Sequence, residues 1–393
     1  LSLKNLPMNI LHKNLDSTKK SVSIPVMTVG GFDADLGEMV LREGKVDMIG
    51  MNRRFFADPE YPNKVASGRM DEIAPCTHCG NCNKTYGEPR HCRINPSFGE
   101  EQYEIFKVDK PKTVAVVGGG PAGMQAARVA ALRGHDVTLY EKSHDVGGAL
   151  PLASIVKGFE IEDLSDIINY FKGQMEKSGV DLKTGVEFTP AAVSANPPDC
   201  VIVAAGGVPN LPDIPGIDKP IVIKSADLYA KLHLPLKYLG AKRLRQATRF
   251  WMPVGKSVIV IGGALQGCQL AEFLVKRGRK VTLVATDTEL GEGMAPERKT
   301  RLFVWFRKKG IAIIPGAKLE EIMDNGLIIT TAEGKRETIE ADHIIPALPL
   351  ERNNKLAEEL KEKVPEVYTI GDCEHPGIIP DAVADGWKIG NMI

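Results

Sequence analysis

Runs of apolar residues that end in glycine recur along the chain and predict the strands of an α/β protein. Thr113–Val117 is a continuous, mostly β-branched apolar run, typical of a strand buried on both faces of a parallel sheet. Glycines follow it, and residues 124–133 are predicted to form a helix. The same order returns over residues 257–277. The pattern therefore predicts an α/β fold built from strand–helix–strand units.

The turn after this first strand carries the glycine spacing of a dinucleotide-binding site. Gly118 permits a tight turn, and Gly120 lets the backbone approach a pyrophosphate. Gly123, one residue after Ala122, lets the helix pack on the strand. The next strand ends at Glu141, eighteen residues past Gly123, where a carboxylate can bind ribose hydroxyls. These features in this order predict the first dinucleotide site.

A second turn of the same kind follows Ser257–Ile261, with Gly262 and Gly267 at its ends. Ala264 stands where the middle glycine belongs, and its methyl group takes space that a pyrophosphate needs. The turn predicts a nicotinamide dinucleotide site that binds less tightly than one with glycine at this position.

The position that would read the ribose in the second site holds Ala285 and Thr286 rather than an acid. Asp287 could serve NADH instead. Four basic residues near this position in sequence suggest a 2′-phosphate, as in NADPH, and they are Arg279, Lys280, Arg298 and Lys299. The choice between NADH and NADPH stays open.

The composition excludes several functional classes. The chain of 393 residues has 50 basic and 50 acidic side chains, so no bulk charge favours nucleic acid or a membrane surface. No apolar run is long enough to span a bilayer. The N-terminus lacks a secretory pattern and an initiator Met, and the cysteines suit a reducing compartment. We expect a cytoplasmic protein whose start is processed or cut.

Four of the seven cysteines lie within seventeen positions, at Cys76, Cys79, Cys82 and Cys92. Three thiols at three-residue intervals and a fourth from a following loop suit a 4Fe–4S cluster. Zinc is the alternative, with His78 and His91 as nitrogen donors, although zinc ligands usually form two separated pairs. We expect both histidines to lie beside the site rather than to ligate. Packing roles are expected for the remaining cysteines, which are Cys200, Cys268 and Cys373.

The residues before the cysteines resemble the end of a flavin-binding barrel. Residues 24–29 predict a buried strand, and the matching motifs are Val29-Gly30-Gly31, Met51-Asn52-Arg53 and Ala57-Asp58-Pro59. With the cysteines, they are similar to the NADH:flavin oxidoreductase / 2,4-dienoyl-CoA reductase / trimethylamine dehydrogenase family. In that family an Old Yellow Enzyme-like barrel precedes an iron–sulfur segment and two dinucleotide domains. The resemblance implies that Gly30, Gly31 and Arg53 bind the phosphate of FMN.

The resemblance also implies FAD in the first dinucleotide site. Gly148 belongs to a Gly-Gly pair typical of FAD-binding relatives. Near the C-terminus a predicted strand closes on Gly371 and Asp372, and the resemblance implies that Asp372 binds the ribityl or phosphate region of the flavin. A helix that begins near Pro380 would point its N-terminus at the flavin. ADP in place of FAD, as in the trimethylamine dehydrogenase relatives, stays open.

The segment before the cysteines is too short for a complete barrel. An eight-stranded barrel needs about 250 residues, whereas 75 precede Cys76. We expect either a fragment or a chain whose barrel a separate polypeptide completes, so that the FMN site is only partly present. The family's proton donor to the substrate is absent, and no catalytic residue can be named.

The fold prediction is two interleaved Rossmann-like dinucleotide-binding domains, preceded by an iron–sulfur loop and the last units of a truncated (β/α)8 barrel. The predicted domains are the barrel end at 1–75, the iron–sulfur segment at 76–110, the FAD domain at 111–215 and 346–393, and the NAD(P) domain at 216–345.

The resemblance implies an NAD(P)H-dependent oxidoreductase. Electrons would pass through FAD and a 4Fe–4S cluster to FMN, for reduction of an activated C=C bond of an enoate or enoyl-CoA. Two alternatives stay open, an amine dehydrogenase-like electron-transfer protein with ADP in the first site and a non-catalytic, zinc-stabilised assembly subunit. Expected partners are a small-molecule or acyl-CoA substrate and further subunits of a homo- or hetero-oligomer.

Residues 231–249 form an unusual insertion with six Lys or Arg and no acid. They predict a basic amphipathic helix that binds an acidic partner, a membrane surface or a CoA phosphate, or else a solvated surface helix.

Overall fold

The N-terminal part contains two short strands with helices around them. The computed structural model describes residues 15–83, 92–99, 105–156, 164–195 and 197–393. The predictions that concern residues 1–14 and His91 lie outside the described residues. The first elements are α1 (Leu15–Lys20), β1 (Met27–Val29), α2 (Ala34–Arg42), β2 (Met48–Gly50), α3 (Arg53–Ala57) and α4 (Tyr61–Ala66).

Strands β1 and β2 pair in parallel but are covered on one face only. Thr28 is 8% exposed, whereas Met27 and Val29 are 61% and 58% exposed, and Met48 is 49% exposed. The prediction of a buried strand here is therefore wrong for the described residues.

The first sheet grows from strands and helices that alternate along the chain. Its elements are β3 (Thr113–Val117), α5 (Pro121–Leu132), β4 (Asp136–Glu141), α6 (Leu150–Val156), α7 (Ser165–Ser178), β5 (Asp181–Thr184), α8 (Pro190–Ala195) and β6 (Cys200–Val203). The central strands β3 and β6 are apolar and almost completely buried, as is usual in parallel sheets with helices on both faces, whereas the edge strand β5 is largely exposed.

A second sheet lies in the middle of the chain, with a small antiparallel sheet beside it. These elements are α9 (Ser225–Ala247), β7 (Ser257–Ile261), α10 (Leu265–Val275), β8 (Lys280–Val284), α11 (Pro296–Lys309), β9 (Ala312–Ile314), β10 (Lys318–Met323), β11 (Gly326–Thr330), β12 (Arg336–Glu340) and β13 (His343–Pro346). The chain ends with α12 (Lys355–Leu360), β14 (Glu366–Thr369) and α13 (Ile379–Met392).

The strand order shows two interleaved parallel sheets. The first is five-stranded with the order β14-β6-β3-β4-β5, and its last strand, β14, follows all strands of the second sheet in the sequence. The second is four-stranded with the order β13-β7-β8-β9, and β10, β11 and β12 pair antiparallel. The predicted α/β fold with two interleaved Rossmann-like units is confirmed. The domain boundaries stay a prediction.

The cysteine segment packs into the hydrophobic core of the first sheet. Ala74 and Ile94, which flank the cysteines, are 7% and 4% exposed and share a core with helices α5 and α7. Cys76 and Cys92 pack against the same core. Lys177 of α7 adds ion pairs to the segment before the cysteines. The cysteines are therefore held against the first dinucleotide unit.

The basic insertion forms α9, and its helix is interrupted. Gly240 has φ 69° and ψ 162°, so two helical pieces meet at a kink instead of forming one continuous amphipathic helix. Arg277 of the neighbouring loop donates to the carbonyl oxygens of Arg245 and Phe273, at the carboxyl ends of α9 and α10. The binding role of the insertion stays a prediction. No helix among the described residues has the length and apolarity to cross a membrane.

The three scattered cysteines are packing residues, as predicted. Cys200, Cys268 and Cys373 are each 0% exposed. Burial raises the pKa of the Cys200 thiol from 9.0 to about 12. The folded state then holds the thiol proton more tightly than the unfolded state. The resulting stabilisation is complete below pH 9 and is lost as the pH rises towards 12.

We expect Cys200→Ala to flatten the alkaline loss of stability. The variant should lose about 1 kcal/mol at neutral pH because a small cavity replaces the sulfur. Between pH 9 and 11 its thermal midpoint should fall less steeply than that of the wild type, measured by circular dichroism. Parallel curves for the two proteins would contradict the prediction.

Candidate functional site

The first glycine turn closes directly over the start of α5. Gly118 has a φ of 109°, which favours glycine, and a Cβ there would lie 2.3 Å from the carbonyl oxygen of Ala204. A Cβ on Gly123 would lie 1.9 Å from the carbonyl oxygen of Gly118. At Gly120, the N-cap of α5, a Cβ would meet no atom within 4 Å. The turn and packing roles of Gly118 and Gly123 are confirmed, and Gly120 borders open space at the helix N-terminus.

Glu141 ties this turn to the end of β4. Its Oε2 accepts a hydrogen bond from the Gly119 N–H at 2.7 Å, and its Oε1 accepts one from the Ser143 N–H at 2.7 Å. The residue is 7% exposed. Gly148 lies against the turn, since a Cβ there would be 3.1 Å from the Cα of Gly120. The carboxylate is fixed where a ribose binder was predicted, and ribose binding itself stays a prediction.

The second turn repeats the backbone of the first with one added methyl group. A Cβ on Gly267 would lie 1.9 Å from the carbonyl oxygen of Gly262, which has a φ of 127°. Ala264 caps α10 with φ −74° and ψ −175°, nearly the values of Gly120, −74° and 178°. The methyl group of Ala264 therefore projects from the position that is open at Gly120.

The edge beside the second turn differs from that of the first. Ala285, at the end of β8, is 1% exposed, and Thr286 and Asp287 are exposed. Arg279 and Lys280 lie at the amino end of β8, the opposite end from the turn, so they cannot read a ribose there. Their suggested role with a 2′-phosphate is therefore wrong.

Asp372 follows β14 closely and α13 begins at Ile379, in agreement with the predicted strand and with the helix expected near Pro380. Asp372 comes directly after Gly371, which has a φ of 62° and whose Cβ would lie 2.9 Å from the Cβ of Ala122. The Oδ1 of Asp372 accepts from the Gly377 N–H at 3.0 Å. Burial raises the pKa of Asp372, and the charges of Asp381 and Asp385 raise it further. A hydroxyl group that donates a hydrogen bond to this carboxylate therefore stabilises its charged form.

The predicted FMN phosphate residues lie beside the cysteine segment. Gly30 and Gly31 have φ values of 121° and 79°, and a Cβ on Gly31 would lie 3.7 Å from the Cε1 of His78. Arg53 lies close enough for its charge to favour the thiolates of Cys76 and Cys82. Phosphate binding by these residues stays a prediction.

Buried polar contacts fix the segment on both sides of the cysteines. Asp58 is 3% exposed, pairs with Lys64 at 2.7 Å and accepts from the Ala74 N–H at 2.8 Å. After the last cysteine, the Nδ2 of Asn95 donates to the Phe56 carbonyl oxygen at 2.9 Å. The sequence motif around Asp58 therefore has a structural reason, because it anchors the chain two residues before Cys76.

The four clustered cysteines are free thiols, and backbone N–H groups of neighbouring residues are directed at Cys76 and Cys92. Burial raises the pKa of Cys92 to about 11, while the N–H groups of Ile94 and Asn95 act in the opposite direction. Burial likewise raises the pKa of Cys76, and the His78 N–H opposes it. Burial and the charges of Cys79 and Cys76 raise the pKa of the Cys82 thiol. The thiols are thus near one another in a buried, N–H-lined pocket.

His78 connects the cysteine segment to both neighbouring parts of the chain. Among the described non-glycine residues it alone has a positive φ, 53°, a conformation that costs about 1–2 kcal/mol. Its carbonyl oxygen accepts a hydrogen bond of 2.5 Å from the Nη2 of Arg298 on α11. Arg298 therefore contacts the cysteine segment, a contact that the sequence did not indicate.

One cavity of about 1380 Å³ joins these parts. Its wall includes Leu265 and Gln266 at the start of α10, so it extends from the first turn to the second unit. Of the predicted site residues, the wall contains Arg53, Cys79, Gly118, Gly120, Ala122, Glu141, Gly148 and Asp372. The others lie behind the wall or away from it, and they are Gly30, Gly31, Cys76, Cys82, Cys92, Gly123, Gly262, Ala264, Gly267 and Gly371.

Sequence reasoning missed Arg93 as a wall residue. It is 5% exposed, and its Nη1 donates to the Thr77 hydroxyl at 3.2 Å. Its position directly after Cys92 was the available signal, since an arginine next to a candidate thiolate ligand is placed to favour the charged form of the sulfur.

Comparison with known proteins identifies the family of the chain. The family model described as pyridine nucleotide-disulphide oxidoreductase matches residues 112–386. The chain belongs to the pyridine nucleotide-disulphide oxidoreductase family. Residues 5–72 match the NADH:flavin oxidoreductase / NADH oxidase family. The two matches in this order confirm the resemblance to the NADH:flavin oxidoreductase / 2,4-dienoyl-CoA reductase family.

Other members of the family match nearly the whole chain. An NADH oxidase of Thermoanaerobacter brockii is 34% identical over 96% of this chain and 57% of its own length. A bilirubin reductase of Mediterraneibacter gnavus is 32% identical over 98% of this chain and 58% of its own length. A 2-naphthoyl-CoA reductase structure is 32% identical with a TM-score of 0.83, over 96% of this chain and 56% of that one. The chain thus spans a little more than half of these relatives.

The first site of this oxidoreductase fits a dinucleotide. The space beside Gly120 is one that a Cβ would fill, and it opens at the N-terminus of α5, where phosphate groups bind well. Glu141 and Asp372 are carboxylates placed in the same wall, where ribose and ribityl hydroxyls can donate.

The cysteine donor set fits a cluster held by thiolates. Backbone N–H groups directed at sulfur, with left-handed turns at His78 and Gly80, are features of iron–sulfur sites. In the part of the chain that the structure describes, no three Cys, His, Asp or Glu side chains are close enough to hold a single metal ion. The 4Fe–4S cluster stays a prediction.

Substitutions at Gly120 and Gly123 should separate binding from folding. We expect Gly120→Ala to fold normally and to weaken FAD binding roughly tenfold, because its methyl group enters open space near the pyrophosphate. Gly123→Ala should destabilise the fold by about 1–3 kcal/mol or more, because its Cβ meets backbone. Flavin fluorescence titration and thermal unfolding measure the two effects. Equal loss of stability in both variants would contradict the assignment.

Proposed function

We propose that this oxidoreductase takes electrons from NAD(P)H and passes them through FAD and a 4Fe–4S cluster to FMN, which serves reduction of an activated C=C bond. The substrate class we propose is an enoate or enoyl-CoA. The reductases among the relatives support the general reaction.

The cavity that these parts share is the observation that carries the proposal. Its wall contains the first glycine turn, the start of α10, Cys79 and Arg53. The proposed flavin and cluster sites and the first turn of α10, which follows the proposed nicotinamide turn, therefore border one volume. Binding sites that act independently would not need to border the same cavity.

The chain's own residues bind and orient the carriers in this proposal. The N–H groups at the start of α5 hold the FAD pyrophosphate, Glu141 accepts from ribose hydroxyls, and Asp372 accepts from the ribityl chain. Flavins accept an electron pair as hydride and release single electrons, which an iron–sulfur cluster can carry. Cys76, Cys79, Cys82 and Cys92 hold the cluster.

Arg53 with Gly30 and Gly31 forms the phosphate end of the proposed FMN site. An arginine and a glycine turn after a parallel strand bind phosphate through charge and backbone N–H groups. The exposed apolar side chains of β1 and β2 indicate that further strands complete this site. We propose that they come from additional barrel sequence or from a separate polypeptide.

Cofactor analysis of anaerobically purified protein tests the proposal. We expect denaturing extraction to release FAD, and iron and acid-labile sulfide to be present at about four each per chain. Recovery of ADP instead of FAD would favour the amine dehydrogenase-like alternative. Zinc without labile sulfide would favour the assembly subunit. Anaerobic titration with NADH and then NADPH should bleach the flavin before the cluster is reduced.

Ala264→Gly should strengthen nicotinamide binding. Removal of the methyl group opens the space that Gly120 leaves in the first site, and relief of crowding is worth about 1–3 kcal/mol. We expect the KM for NADH and for NADPH to fall roughly tenfold by the same factor, since both share the pyrophosphate. The check is the steady-state rate with an artificial electron acceptor. A change for one nucleotide only would contradict this placement of the pyrophosphate.

A further inference from the structure

The contact between Arg298 and His78 joins the second dinucleotide unit to the cysteine segment. The Nη2 of Arg298 donates to the His78 carbonyl oxygen at 2.5 Å. The neighbouring Gly80 also faces α11, since a Cβ there would lie 3.6 Å from the Cβ of Ala295 and 3.8 Å from the Nε of Arg298. Arg298 and Cys79 both border the cavity. The first turn of α11 thus lies directly on the chain between Cys76 and Cys82.

The backbone at this contact has a conformation that needs support from its surroundings. His78 has a φ of 53° and Gly80 one of 82°. Non-glycine residues keep a left-handed conformation only where neighbouring groups fix it, and such residues concentrate at functional sites. Left-handed turns also direct successive N–H groups into a concave surface that binds anions, iron–sulfur clusters included. In agreement with this, the His78 N–H is directed at the sulfur of Cys76.

The peptide bond between His78 and Cys79 transmits the effect of Arg298. In a trans peptide the carbonyl and the N–H point in opposite directions. Because the carbonyl of His78 points to Arg298, the N–H of Cys79 points away from Arg298. A guanidinium on the carbonyl polarises the peptide and strengthens its N–H as a donor.

We propose that Arg298 is a positioning residue that raises the reduction potential of the 4Fe–4S cluster held by the four cysteines. This inference rests on the proposed function. The cluster takes up one electron, supplied by the reduced flavin, and becomes more negative by one charge. A nearby guanidinium and strengthened N–H donors both stabilise the more negative state, and both are known determinants of cluster potential.

The location of Arg298 gives the tuning a functional meaning. The residue belongs to the unit that carries the second glycine turn, so the charge that favours cluster reduction lies on the part of the chain that receives the nicotinamide. Arg298 was predicted to read a 2′-phosphate, but the structure places its guanidinium on the cysteine segment.

Potentiometric titration followed by electron paramagnetic resonance tests the inference. In the full chain, Arg298→Gln should shift the cluster midpoint to a more negative potential, with the iron and labile sulfide content unchanged. Arg298→Lys keeps the charge but loses the forked donor, so its shift should be smaller. Arg301→Gln is the matched control, because Arg301 lies on the same helix and pairs with Glu297 at 2.6 Å with its side chain 78% exposed. Its midpoint should equal that of the wild type.

Two outcomes would overturn the inference alone. One is an unchanged midpoint in both Arg298 variants. The other is loss of cluster content with an unchanged midpoint in the clusters that remain, which would make the contact purely structural. Wild-type protein without iron and labile sulfide would instead overturn the proposed function, and this inference with it.

Discussion

The packing of the cysteine segment into the core of the first sheet is the constraint on which the site depends. Ala57, Ala74 and Ile94 are buried together with α5 and α7, and α5 begins at the first glycine turn. Close-packed cores move little, so the thiols and the turn keep a fixed relation. Asp58 reinforces this from the other side, because a buried carboxylate bound to Lys64 and to the Ala74 N–H cannot shift without losing both partners. Cofactor geometry at this site is therefore set by ordinary hydrophobic packing.

The two glycine turns show how one backbone can serve two kinds of ligand. Gly120 and Ala264 have nearly the same backbone angles and each caps a helix, yet only one of them leaves the space in front of the helix open. Under the proposed function the first turn holds a resident flavin, and Asp372 adds a half-buried carboxylate to it. The second turn must release its nucleotide in every cycle, so a methyl group that weakens binding is compatible with turnover. The difference is a single carbon atom at equivalent positions.

The features that the sequence predicted well are those set by local geometry. The turns at Gly118 and Gly262, the helices that follow them and the packing of Gly123 depend on residues within a few positions, and spacing alone reveals them. Strand direction was also available in the sequence, and it would have shown that Arg279 and Lys280 lie at the amino end of β8, the opposite end from the turn. The contact of Arg298 with His78 could not be predicted, because it joins residues from different units and depends on how those units pack. The same holds for the left-handed backbone of His78, where the sequence offers histidine rather than glycine.

The distribution of exposed apolar surface separates the two halves of the proposed electron path. Around the first sheet most apolar side chains are buried, and the first glycine turn, Cys79 and the start of α10 border one cavity. At the β1–β2 pair, by contrast, Met27, Val29 and Met48 are about half or more exposed. Exposed apolar strands are costly in water and pair readily with other strands. Under the proposed function, the electron-entry half can therefore be tested on this chain by itself, whereas reduction of the C=C bond would need further strands beside this pair.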